Sequence, residues 1–389
     1  MIVLKNSLII IPFQLPWNWS ADYQWQTCLE LAKNNLVIAY IQPDARFWLK
    51  PKPKQQFPHR RNILFYQPRY LIPVRRLAGI EKLNQLLNIW YLLLRDGLTK
   101  KQAILWLFDP GFWFYPKVKW AFPKLIALYD CVDYVWHRQP KLRKLLQTQE
   151  KKLIKQVDFF FVNSAVLAKH HSTTRRPTAV VPQGFRLTDF AKPKTTKAKF
   201  PKDKPLIGYV GAIDHRLDFA LLYRLIKRNP QWQFVLWGPV QEMSLENKLE
   251  TTRQLHTLKK LPNVIVGQST DRREIPNIIK QFDVCLIPYD TKQLLVKYSY
   301  PMKLFEYFYC KKPVITAPIL ELKRFSNLVK IEPSLKSWQT TITSLLTRRQ
   351  SSQVGQWQRK LSLANGWKNK IINISKVIQN SEQKGARKW

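Results

Sequence analysis

Glycine is scarce, with 11 in 389 residues. Acidic residues are few against the bases: 25 Asp and Glu face 65 Lys and Arg, a formal net charge of +40. That imbalance favours polyanions such as nucleic acid, anionic lipid headgroups or nucleotide phosphates, but does not choose among them. The bases are spread along the chain, denser at 46–76, 138–155 and 192–204, and form no single tail. The four cysteines (Cys28, Cys131, Cys285, Cys310) contain no C-x-x-C pair, so neither a disulfide framework nor a structural zinc site is expected, and a reducing compartment fits. The six histidines show no ligand spacing, and His170-His171 read as a solvated helix end. No metal is expected. Long apolar runs are also missing. The run up to Ile11 stops at Pro12 without a small-residue cleavage site, and Leu86 to Leu94 is interrupted by Asn88. Both are too short to span a bilayer, and the first reads as a core strand.

What is present is 45% hydrophobic and 13% aromatic, ample for globular folding and too long for one ordinary core. Strands are expected at Leu4 to Ile11, Leu36 to Ile41, Ile63 to Tyr66, Ala103 to Phe108, Leu125 to Tyr129 and Phe159 to Val162. Helices are expected through Leu29 to Ala32, over Ile80 to Leu94 and over Leu142 to Val157. Near-continuous apolar strands of this kind suit a parallel sheet covered on both faces. The basic, proline-bearing stretch Ala191 to Pro205 reads as a linker. A second series then begins: strands Leu206 to Val210, Gln233 to Trp237, Val264 to Val266, Val284 to Pro288 and Pro313 to Thr316, with helices Phe219 to Arg228 and Ile275 to Gln281. Helical spacing fills Ser337 to Val377. The reading is α/β, two doubly wound Rossmann-like lobes: 1–190, a linker 191–205, 206–350, and a helical tail 351–389 packing on the first lobe.

Tyr300-Pro301-Met302-Lys303-Leu304-Phe305-Glu306, running into Pro313-Val314-Ile315, is the most informative stretch. Pro301 suits a first helical position. Lys303 and Glu306, three apart, can share a face, and unpaired N–H groups of a first turn attract anions. Phosphate at the helix mouth and ribose one turn deeper would match a nucleotide. Leu206 to Asp214 is a strand entering a glycine-bearing turn, where Gly211 would let backbone approach a phosphate and Arg216 could add a bidentate contact. Further pieces are Trp237-Gly238, the Pro262-Asn263-Val264 strand and Phe282-Asp283-Val284 to Pro288-Tyr289.

The stretch P-M-K-L-F-E-Y-F-Y-C-K-K-P-V-I resembles the donor motif P-x-K-x-x-E-Y-x-A-x-G-x-P-V-V of GT-B glycosyltransferases, particularly the retaining group classed as family 4 (group 1). The form V-G-A-I-D-x-R-L-D is similar to a bacterial subgroup that includes teichuronic-acid-type transferases, as are the W-x-x-D-P and Y-D-x-V-D elements around Asp109, Asp130 and Asp133. The resemblance spans about 110 residues of the second lobe. It departs at Tyr309 and Lys311, where a small residue and glycine are usual, and at Tyr298, where many relatives carry a sugar-binding glutamate. Gln183 replaces a common Asn in the V-P-N-G-V turn.

The resemblance implies a GT-B fold whose C-terminal helix crosses back to the first lobe. It implies transfer of a sugar from a nucleotide diphosphate sugar to a hydroxyl on a carbohydrate or lipid-linked acceptor, in cell-surface polysaccharide or glycolipid synthesis, with retention and without metal or cofactor. Donor contacts would come from Gly211, Asp214, Arg216, Gly238, Tyr300, Pro301, Lys303, Leu304 and Glu306. Asp109, Asp130 and Asp133, at strand ends expected to face the second lobe, are catalytic candidates, with helix caps as the plainer alternative. Trp17, Trp19, Trp113 and Gln183 are acceptor candidates, and the aromatic loops around them suit a sugar ring or a membrane interface. The expected location is cytoplasmic, on the anionic inner face of the plasma membrane. The rival readings are a non-enzymatic polyanion-binding protein, although no nucleic-acid signature is present and no specific nucleic acid is expected, and an inactive paralogue. The sugar, base, acceptor and oligomeric state are not encoded in any motif.

Overall fold

The computed structural model describes residues 4–13, 23–41, 60–68, 78–97, 99–137, 139–242, 244–267 and 271–386. The chain divides into two units, 1–183 with 367–389 and 184–366. The first unit holds β1 (Ser7–Phe13), β2 (Leu36–Ile41), β3 (Ile63–Tyr66), β4 (Gln102–Leu107), β5 (Ile126–Cys131), β6 (Phe159–Val162) and β7 (Ala179–Val180). Among the described residues these form one seven-stranded sheet, ordered β3-β2-β1-β4-β5-β6-β7. Every pairing is parallel. Apolar residues on both faces of β1, β2 and β6 are buried, as a sheet sandwiched between helices requires.

β1 does not stop before Pro12. Its register with β2 runs on through Pro12↔Tyr40 to Phe13↔Ile41, whereas pairing with β4 ends at Ile10↔Leu105. One side of the strand is therefore open at Pro12, and a residue without an N–H is tolerated there.

The second unit holds β8 (Leu206–Val210), β9 (Gln233–Trp237), β10 (Val264–Gly267), β11 (Val284–Ile287), β12 (Val314–Thr316) and β13 (Lys330–Ile331). Among the described residues they form a six-stranded parallel sheet ordered β10-β9-β8-β11-β12-β13. The order reverses between β8 and β11, the point where open α/β sheets place ligands. A helix that the hydrophobic spacing did not reveal, Leu245–Lys259, buries only Thr251, Leu255 and Leu258. It is started by Ser244, whose hydroxyl accepts from Asn247 N–H at 3.1 Å, a cap that helps set the helix without a strong apolar stripe.

The basic stretch 191–205 is not a free tether. Lys194 N–H donates to the Arg273 carbonyl (2.8 Å), and its own carbonyl accepts from Asn277 (2.7 Å). Phe200 is buried against Trp237 and Phe282, with centroids 5.6 and 5.9 Å away. The tail also splits. The helix Ser352–Ala364 stays with the second unit: its Ser362 hydroxyl donates to the Phe305 carbonyl at 2.6 Å. Only the helix Trp367–Ala386 returns to the first unit, burying Ile371, Ile374 and Ile378 in that unit's core.

That returning helix is anchored by charge as well. Lys370 Nζ lies 2.9 Å from Asp130 Oδ1, and both side chains are inaccessible to water. Removing the cation strands a buried carboxylate. Lys370→Met should destabilise the first unit by about 3–5 kcal/mol, and the double variant Lys370→Met/Asp130→Asn should recover part of that loss. Urea unfolding followed by circular dichroism measures both; an unchanged midpoint in Lys370→Met would refute the anchor.

Candidate functional site

The C-terminal ends of β8 and β11 are wedged apart by one phenol. Their pairing covers only Ile207↔Val284 and Gly208↔Cys285. Beyond it, the Tyr307 hydroxyl accepts from Val210 N–H (2.9 Å) and donates to the Leu286 carbonyl (3.2 Å). These contacts satisfy groups that the diverging strands leave without each other. Tyr307 belongs to the helix Lys303–Tyr309. One turn earlier on the same face sits Lys303, which is thereby delivered to the mouth of the gap.

Lys303 is 8% exposed. Its ammonium donates to Tyr209 Oη at 2.8 Å and to Tyr289 Oη, and lies 4.4 Å from each ring centroid. Among the described residues it has no carboxylate ion-pair partner. A buried cation satisfied by neutral phenols and ring faces keeps its charge for something else. The backbone alongside is stripped of side chains. Gly211, at φ 140°, follows β8; a Cβ there would fall 3.0 Å from Lys303 Cε and 3.2 Å from Nζ. Gly238, at φ 151°, follows β9; a Cβ there would sit 2.1 Å from the Gly211 carbonyl oxygen. Positive φ and this crowding both demand glycine.

Asp214 and Arg216 complete the rim. Arg216 Nε lies 3.0 and 3.1 Å from the two Asp214 oxygens, and its N–H also reaches Oδ1 at 3.0 Å. Burial alone would raise the Asp214 carboxyl, but Arg216 and Lys303 outweigh it and hold it below the usual range. Burial likewise pushes the Tyr289 phenol up, while Arg216 and Lys303 draw it below its ordinary value.

The structure thus brings Gly211, Asp214, Arg216, Gly238 and Lys303 together. It treats the other expected donor residues differently. Pro301 is not a first helical residue: the helix begins at Lys303, and two first-turn N–H groups, those of Leu304 and Phe305, already donate to the carbonyls of Pro301 and Met302. Tyr300 and Leu304 turn into the core, Tyr300 against Phe305 and Phe325. Glu306 is buried and paired with Arg272, whose Nε also lies 3.6 Å from Asp189 Oδ2. Arg186 Nε lies 3.0 Å from that same oxygen. Tyr209 and Tyr289 fall inside stretches named above but carry no assigned role there, and Arg272 and Asp189 fall in none of them. The four lie far apart along the chain, so no single local motif joins them to Lys303 and Glu306. The buried Trp237 indole N–H, just before Gly238, has no hydrogen-bond partner among the described residues.

In the first unit the three aspartates part company. Asp130 is the buried partner of Lys370 and also lies 3.4 Å from Trp106 Nε1, which removes it from reach of a substrate. Asp109 caps the turn Pro110–Phe112, accepting from Gly111 N–H at 2.6 Å. Burial raises its carboxyl to about 6 despite that bond. Asp133, just past β5, is exposed. Trp113 is partly buried, with the ammonium groups of Lys82, Lys117 and Lys152 at 5.3, 5.4 and 4.7 Å from its ring. Gln183 is half-buried at the end of the first unit. Trp17 and Trp19 lie outside the described residues.

Comparison with known proteins meets the same region. Residues 192–324 match the family Glycosyl transferases group 1. A Bacillus subtilis protein named for teichuronic acid biosynthesis, the glycosyltransferase TuaH, is 26% identical over 246 residues, 57% of this chain and 58% of its own length. Among solved structures, sucrose-phosphate synthase from Thermosynechococcus elongatus superposes with a TM-score of 0.73 at 15% identity, covering 97% of this chain and 100% of its own. Anabaena Alr3699/HepE, solved in complex with UDP-glucose, gives 0.66 at 11% identity, covering 96% and 99%. No described helix is long and apolar enough to cross a membrane. Over residues 192–324 the chain therefore resembles the glycosyl transferases group 1 family, and its two α/β units have the fold of the GT-B glycosyltransferases.

Proposed function

We propose that this protein transfers a sugar from a nucleotide diphosphate sugar to a hydroxyl acceptor in polysaccharide synthesis, with retention and without a metal in the transfer step. The observation that carries the reading is the Lys303 ammonium, buried under two phenols beside side-chain-free backbone at Gly211. An anion reaching that point meets a desolvated cation and a glycine backbone that admits close approach, which is electrostatic stabilisation of a departing diphosphate. Glu306 accepts ribose hydroxyls, sharing its carboxylate with Arg272. Asp109, with a carboxyl tuned to about 6, is the better candidate for taking the acceptor proton near neutrality.

Donor binding is the first test. At 100 Kd of the correct ligand among UDP-, GDP-, TDP- and ADP-sugars, stabilisation should reach about 2.7 kcal/mol, seen as a clear rise in Tm. Lys303→Met and Glu306→Gln should each weaken that binding by about 10- to 100-fold. No shift with any of the four donors would sink the assignment.

The acid limb of the rate supplies a second test. A base must be deprotonated to act, so kcat/KM should fall as pH drops through about 6, and Asp109→Asn should lose most activity at pH 7.5 while keeping donor affinity. An acid limb that persists unchanged in Asp109→Asn would exclude the role.

The acceptor is proposed to be presented at an anionic membrane surface. In the first unit Trp120 is 92% exposed, and Leu142 and Leu145 are exposed on the lysine-rich helix Pro140–Gln156, a mixture that suits a headgroup boundary. The protein should float with anionic vesicles at low salt and release at high salt; failure to float at low salt would remove this part of the proposal.

A further inference from the structure

Three side chains that the proposed transfer does not use meet inside the first unit. Cys131 ends β5, Glu150 lies on the helix Pro140–Gln156, and His171 ends the helix Ala165–His171. All three are buried, His171 included, contrary to the solvated helix end expected for it; only its neighbour His170 is exposed. Cys131 Sγ stands 3.8 Å from His171 Nε2 and 3.8 Å from Glu150 Oε1, and His171 Nε2 stands 3.7 Å from Glu150 Oε1. The three atoms make a nearly equilateral triangle. Its centre is about 2.2 Å from each corner, against zinc bond lengths of about 2.3 Å to sulfur and about 2.0–2.2 Å to nitrogen or carboxylate oxygen.

Cys131 makes only long sulfur contacts to Glu150 and His171, and those two do not hydrogen-bond each other. A nitrogen–oxygen separation of 3.7 Å is too long for a hydrogen bond. Among the described residues no lysine or arginine pairs with Glu150, in a protein where bases outnumber acids by 65 to 25. A carboxylate buried without a cation is costly.

We propose that Cys131, Glu150 and His171 form a binding site for one divalent soft-to-borderline metal ion, with Zn²⁺ the best fit. A thiolate, an imidazole and a carboxylate are zinc's ordinary ligand types. One thiolate and one carboxylate balance the two positive charges of the ion, so the occupied site is neutral overall. Binding releases the Cys131 thiol proton to solvent as the sulfur–metal bond forms. The Tyr129 hydroxyl donates to Glu150 Oε1 at 2.8 Å and orients that ligand from outside the coordination shell. Three protein ligands leave one tetrahedral position for a water. The ion ties two helices to the end of β5, two residues before Asp133, and takes no part in donor chemistry. The sequence offered no hint because each ligand comes from a different element.

The full chain, prepared without a polyhistidine tag and stripped with chelator, should be titrated with Co²⁺ and then Zn²⁺. One equivalent of Co²⁺ should produce thiolate-to-cobalt charge-transfer absorption, which Zn²⁺ then abolishes. Zn²⁺ alone should raise Tm by several degrees. Cys131→Ser and His171→Ala should lose both signals, while Cys310→Ser keeps them. Folded wild-type protein that gives no charge-transfer band, or an equal band in Cys131→Ser, overturns the site whether or not the other variants fold.

Discussion

A lysine ammonium held out of water between two phenols and their ring faces is the constraint around which the second unit is arranged. Burying a cation is costly unless neighbouring groups compensate, and here Tyr209 and Tyr289 supply oxygen lone pairs and π-faces. To bring those phenols to one point, β8 and the segment after β11 must both end beside the same helix turn. Tyr307 makes that possible by filling the gap between the two strands. The glycines after β8 and β9 then keep the approach clear. Packing and electrostatics thus converge on Lys303.

Much of this was legible in the chain. β2, β3, β6, β8 and β9 have the bounds expected from their apolar runs; all but β3, whose Leu64 is exposed, are largely buried on both faces, which writes a strand's length directly into hydrophobicity. The Lys303 segment and the Gly211 turn were legible as motifs because their residues are local. What escaped was long-range or weakly patterned. Arg272 meets Glu306 across 34 positions, and β7 and β13 are two-residue edges too short to show a period. The break between the last two helices falls at Asn365-Gly366, inside a stretch whose helical spacing continues on either side.

The three aspartates show how a strand-end carboxylate can serve different ends. Position alone made Asp109, Asp130 and Asp133 equivalent. Their surroundings do not: one is neutralised by Lys370, one is pushed toward neutrality by burial, and one faces solvent. Environment, not motif membership, separates anchoring from candidate chemistry. The same contrast applies to the basic residues. Lys303 is buried between two phenols and Lys370 against one carboxylate, whereas Lys82, Lys117 and Lys152 gather around Trp113 at the surface.

The second unit starts and finishes at one spot. Phe185 N–H donates to the Asn365 carbonyl at 3.0 Å, and Phe185 bridges Gly366 in parallel. Residues 184–366 are therefore an insertion whose two ends are stitched together by its own backbone. Cutting the gene at those codons would sever the chain where entry and exit already coincide, so the excised piece would carry its sheet, its core and the Lys303 cluster with it.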